Sequence, residues 1–121
     1  MKKFISVMLV AAMAVTALTG CGSNSGSSSK KDADKYYIGG IGPTTGATAI
    51  YGTAVKNGAQ IAVDEINAAG GINGKQIEYR FEDDQNDAEK AVNAYNTLKD
   101  WGMQMLVGTT TTAPCIAVAG K

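Results

Sequence analysis

Apolar positions along the chain change their period several times, and each change marks an element. Tyr36 to Ile41 is a short β-prone run, broken at Gly39, Gly40 and Gly42 and turned at Pro43. From Gly52 to Ala69 the apolar residues Val55, Ala59, Ala62, Ile66 and Ala69 recur at spacings of four and three, which predicts one face of an amphipathic helix. Gly70-Gly71 stops that helix, and Asn73-Gly74 makes a second turn. Gln76 to Glu82 alternates, with Ile77, Tyr79 and Phe81 on one side, and predicts a strand.

A polar turn at Asp83 to Asp87 leads into a second helix, for which Asn86 and Glu89 fit a capping box. Ala88, Ala91 or Val92, Tyr95 and Leu98 point inward on it, and it ends near Trp101-Gly102. Met103 to Val107 is nearly all apolar and predicts a buried strand. Gly108 breaks it, four threonines follow, and a third helix starts at Ala113 or Pro114 with Thr112 as its N-cap.

The order strand, helix, strand, helix, strand, helix predicts an α/β chain, a Rossmann-like βαβαβα half-lobe on a parallel sheet. The expected spatial order is second, first, third. Ligands bind such sheets at the carboxyl ends of the strands, where the chain reverses direction. Two loops meet there, Gly42 to Tyr51 and Gly108 to Thr112, both rich in threonine hydroxyls.

The first 35 residues follow different rules. Lys2 and Lys3 precede an apolar run, Phe4 to Leu18, too short to span a bilayer comfortably. It ends in Leu18-Thr19-Gly20-Cys21, which resembles the lipobox of bacterial lipoproteins. Residues 1–20 therefore read as a signal peptide and Cys21 as the lipid attachment site. Residues 21–35, Ser-, Gly- and charge-rich, read as a tether that buries nothing. Residues 36–121 form the domain, and its end inside a predicted helix reads as truncation of a longer protein. These expectations place the protein outside the cytoplasm, anchored to the membrane through Cys21.

Composition removes several function classes. The 121 residues carry 11 basic and 11 acidic side chains and no histidine. Lys2 and Lys3 fall in the leader, so the remainder is slightly acidic and offers no basic patch to nucleic acid. Without histidine there is no His-based triad and no imidazole metal ligand. Cys115 is the only thiol besides Cys21, which leaves no internal disulfide, and it reads as a small buried residue.

Gly40-Ile41-Gly42-Pro43-Thr44-Thr45-Gly46 falls one residue from a dinucleotide fingerprint. Pro43 removes a backbone donor from any phosphate cradle, and the helix starts well after the glycines. No cofactor is expected. The acidic run Glu82-Asp83-Asp84 with Asp87 lacks the spacing of a calcium loop and reads as a solvated turn at a helix N-terminus. The strongest functional feature is Thr109–Thr112, where free N–H groups and hydroxyls at a helix start suit a carboxylate.

The series Gly42-Pro43-Thr44-Thr45-Gly46, Tyr51-Gly52, Gly58-Ala59-Gln60-Ile61-Ala62-Val63-Asp64-Glu65-Ile66-Asn67, Gly70-Gly71-Ile72-Asn73-Gly74, Asp83-Asp84 and Leu106-Val107-Gly108 resembles the leucine/isoleucine/valine-type periplasmic binding proteins of ATP-driven importers. The resemblance covers residues 36 to 121 and implies the first part of a two-lobed type I periplasmic-binding-protein fold. It implies a receptor that closes on an amino acid and delivers it to the transmembrane permease subunits of an ABC importer. Thr112 would then hold the ligand's α-carboxylate or ammonium, with Thr110, Thr111 and Tyr51 near its side chain. Some members join the second-strand turn to this loop by a disulfide; the matching positions, Asn86 and Thr111, form none. Threonines in place of apolar residues leave branched-chain specificity open. The alternatives on the same sheet are an extracytoplasmic enzyme and a ligand-sensing domain, and the absence of an acid/base pair in the two loops favours binding.

Overall fold

In the computed structural model, which describes residues 33–121, three parallel strands alternate with three helices. The elements are β1 (Lys35–Gly42), α1 (Ala49–Ala68), β2 (Gln76–Asp83), α2 (Ala88–Trp101), β3 (Met105–Thr109) and α3 (Thr112–Ala119). The strand order is β2-β1-β3, so the chain reverses its direction of travel across β1, as the sequence predicts. The expected leader, Cys21 and the tether up to residue 32 lie outside the described residues. Lys35, expected in the tether, already opens β1 opposite Gln76.

The core lies between the sheet and the α2–α3 pair. Ile41, Ala91, Ala94, Leu98 and Val118 are buried there, with Tyr95, Trp101, Met103 and Leu106 packed around them. Tyr37 meets the Trp101 ring edge-on at 5.2 Å between centroids. A Cβ at Gly39 would fall 2.3 Å from Met103 Sδ, so the absence of a side chain there is what lets α2 settle on the sheet. Right-handed crossovers carry α1 to the other face. There Gly40 makes room for the Tyr79 and Phe81 rings of β2.

Several boundaries differ from those predicted. Helix α1 starts at Ala49, and its buried side carries Gly52 and Val63, with Ala59 and Ile66 half-buried; Ala62 and Ala69 are exposed. Alanines on both sides of this helix blur the phase that apolar spacing alone assigns. The N-cap of α2 is Asp87, whose Oδ1 accepts from the Lys90 N–H at 2.9 Å. Asn86, predicted to cap, instead takes a left-handed conformation (φ 61°) beside Gln85 (φ 51°). Gly102 ends α2 in the left-handed region, as its position suggests.

β3 starts two residues later than predicted, continues through Gly108, and is not buried. Met105 is 61% exposed and Val107 38%. Both point to the face that α1 covers only over β1 and β2, and no other strand of the described residues pairs with β3. Cys115, expected to be buried, is exposed on α3. No described helix is long and apolar enough to cross a membrane.

Candidate functional site

The carboxyl ends of β1 and β3 bring the two threonine-bearing loops together. Gly40 pairs with Val107, but Ile41 pairs with Thr109, so Gly108 (φ 41°) is an extra residue that forms a bulge. The bulge resets the alternation. Thr109 now shares the face of Ile41, and its Oγ1 is buried without a hydrogen-bond partner among the described residues. Thr110 turns to the opposite face and lies against Gly42, where a Cβ would fall 2.1 Å from its Oγ1. The Thr110 N–H also donates to Ile41 O at 3.2 Å, which fastens the third loop to the end of β1.

Thr111, not Thr112, is the N-cap of α3, with extended backbone (φ −124°, ψ 156°). Its hydroxyl makes no capping bond, and Oγ1 is buried without a partner among the described residues. A run of four like residues leaves the cap position ambiguous by one, and the backbone decides it. Thr112 becomes the first helical residue and is exposed. Cys115 N–H bonds Thr111 O at 3.0 Å, and Pro114 has no N–H. The first-turn donors of Thr112 and Ala113 therefore have no intrahelical partners.

Tyr51 lies in the opening turn of α1 and is 62% exposed. Its position follows from the neighbour Gly52, whose Cα is seated directly on Pro43. A Cβ there would fall 1.9 Å from Pro43 O, and Pro43 itself is fully buried. Thr48 precedes α1 without a side-chain cap, and the first turn has no acid.

The acids ending β2 do more than a solvated turn would. Asp83 Oδ1 accepts from the Thr44 N–H at 2.8 Å and the Gln85 N–H at 3.0 Å, and Oδ2 accepts from the Thr45 hydroxyl at 2.5 Å. Partial burial pushes the Asp83 carboxyl up, but the bonds from Thr45, Thr44 and Gln85 outweigh it and hold its pKa below the ordinary value. Asp84 is fully buried, contrary to the sequence reading. Its Oδ1 accepts from the Asn86 N–H at 2.8 Å, while Oδ2 has no partner among the described residues. Burial, aided by the charges of Asp83 and Asp87, raises its pKa despite the Asn86 bond. Neither role was visible in the sequence beyond the adjacency of the acids. Among the described residues no group of His, Cys, Asp and Glu is arranged to hold a metal.

Comparison with known proteins places this geometry in a wider context. The sequence model of a family described as periplasmic binding protein matches residues 35–121. The Leu/Ile/Val-binding protein BraC3 of Rhizobium johnstonii is 44% identical over 82 residues, 68% of this chain and 22% of that protein. A leucine-, isoleucine-, valine-, threonine- and alanine-binding protein of Pseudomonas aeruginosa is 41% identical over 76 residues, 63% of this chain and 20% of its own length. Among solved structures, the branched-chain amino acid transporter substrate-binding protein LivJ of Streptococcus pneumoniae, in complex with isoleucine, superposes with a TM-score of 0.67. It is 39% identical and is matched over 71% of this chain and 25% of its own. The chain thus spans about a fifth to a quarter of the length of these relatives.

Proposed function

Because this chain belongs to the periplasmic binding protein family, we propose that it forms the first part of the ligand-binding lobe of an ABC importer's substrate-binding protein. The fold is the α/β half-lobe of the type I class, and on this proposal the ligand enters a switch-point crevice between the Thr44–Thr48 loop and Thr109–Thr112. In this reading the intact protein captures an amino acid of branched-chain type or similar and delivers it to permease subunits. It performs no chemistry on that ligand.

The observation that carries the reading is the uncapped start of α3. The N–H groups of Thr112 and Ala113 lack intrahelical partners beside an exposed Thr112 hydroxyl. A helix N-terminus with free donors favours an α-carboxylate, and each charge-assisted bond contributes about 1.5–3 kcal/mol. Thr110 and Thr111 border the same crevice, and exposed Tyr51 stands on its other wall, near the ligand's side chain. Cys21 carries the lipid, residues 1–20 are removed, and the tether holds the domain outside the membrane.

A thermal-shift screen of the intact protein against the amino acids tests the ligand class. A shift with leucine, isoleucine or valine supports it, and Thr112→Val then abolishes most of that shift. An unchanged shift in Thr112→Val overturns the carboxylate-receptor role. Cys21→Ser releases the protein from membranes; unchanged retention overturns the anchor.

A further inference from the structure

The loop from Pro43 to Thr48 forms one wall of the proposed crevice, yet little of its own chemistry fixes it. Thr48 gives α1 no side-chain cap, and Gly46 (φ 80°) has nothing near the position a Cβ would take. The loop is held instead at two points from outside. Gly52 is seated on Pro43, and Asp83 reaches across from β2 to take the Thr44 N–H and the Thr45 hydroxyl. The same carboxylate takes the Gln85 N–H, so one side chain ties the loop after β1 to the turn after β2. Gly42 pairs directly with Asp83, which puts the tie at the rim of the crevice.

We propose that Asp83 is a positioning residue for ligand capture: without touching the ligand, it presets the Thr44–Tyr51 wall on which the ligand's side chain docks. The proposal rests on the amino-acid-binding reading above. With the carboxylate in place the loop is ordered before the ligand arrives. Without it, ordering the loop becomes part of the binding step and weakens affinity. Three polar groups from two loops converge on one carboxylate, and the lowered pKa of Asp83 agrees with that arrangement.

The test is isothermal titration of the intact protein with L-isoleucine, L-leucine, L-valine, L-threonine and L-alanine. Asp83→Ala is expected to raise Kd roughly tenfold, and Thr45→Val roughly threefold through loss of the hydroxyl alone. Thr45→Ser keeps the donor and restores Kd to within about twofold of wild type. Asn67→Ala, at the far end of β2, lowers thermal stability and leaves Kd unchanged, which separates positioning from general weakening. If Asp83→Ala fails to fold, the Thr45→Val and Thr45→Ser pair decides. Wild-type Kd in folded Asp83→Ala and in Thr45→Val overturns the role of Asp83 and leaves the amino-acid reading standing. No heat from the wild type with any of the five amino acids overturns that reading, and the role of Asp83 with it.

Discussion

Asn67 and Ile77 exchange two hydrogen bonds: the Asn67 Nδ2 donates to Ile77 O at 2.8 Å, and the Ile77 N–H donates to Asn67 Oδ1 at 2.7 Å. A side-chain amide near the end of α1 thus stands in for a neighbouring strand on the outer edge of β2. It satisfies backbone groups that would otherwise meet only solvent or another chain. Asn67→Ala leaves both groups without these partners and is expected to destabilise the domain by about 1–3 kcal/mol. Asn67→Asp does not rescue it, because a carboxylate cannot donate to Ile77 O. Urea unfolding of the three proteins checks this; equal midpoints would remove the argument.

Two glycines of α1 are expected to respond to alanine with opposite signs. At Gly52 a Cβ would sit 1.9 Å from Pro43 O, a backbone atom that no side-chain rotation can move. Gly52→Ala therefore lifts the start of α1 from the loop, at a cost of about 1–3 kcal/mol. At Gly58 a Cβ would meet nothing within 4 Å. Gly58→Ala is expected to stabilise by about 0.5–1 kcal/mol through helix propensity. Urea midpoints moving in the same direction would contradict this reading of the α1 packing.

The surroundings of the adjacent acids Asp83 and Asp84 shift their pKa values in opposite directions, down for Asp83 and up for Asp84. The raised pKa of Asp84 means the folded state holds its proton more tightly than the unfolded chain does. Its contribution to stability therefore falls as pH rises from the ordinary value of about 3.9 through the folded value. For Asp83, whose folded pKa is lowered, the contribution is present above about 3.9 and is lost as pH falls through the folded value. Asp84→Asn keeps an acceptor for the Asn86 N–H and removes the charge. Above about pH 4 the wild type is thus expected to lose stability relative to Asp84→Asn as the pH rises. Parallel curves of urea midpoint against pH would show that burial does not strain this carboxylate.

Cys115 is exposed, one turn into α3. A thiol reagent such as dithionitrobenzoate is expected to modify it in the folded chain at a rate near that of the urea-unfolded chain. Strong protection in the folded state would place α3 elsewhere.

The alternation of periods in the sequence was enough for element order and strand order, because both rest on patterns several residues long. What escaped depended on single residues or on partners distant in sequence. Met105 to Val107 looks like an interior strand, yet burial depends on what lies over it, and α1 covers the other two strands. Asp84 carries a charge that argues for solvent, and only the folded chain, in which its N–H donates to Gly42 O, shows it inside. The clamp from Asp83 to Thr44 and Thr45 joins residues 39 and 38 positions apart, a pairing that no local pattern marks. The family resemblance, by contrast, was legible in the residues themselves and agrees with the match over 35–121.

Gly108 gives the threonine run its reading frame. Thr109 and Thr110 are chemically identical, and one extra residue in the strand sends the first inward and the second to the rim. Drawing Gly108 into the ladder opposite Ile41 would act as a frameshift in space: every hydroxyl would keep its place in the run, but those now turned to the core and those turned to the crevice would trade duties. Deleting Gly108 would not, because Thr109 would then follow Val107 directly and still lie opposite Ile41.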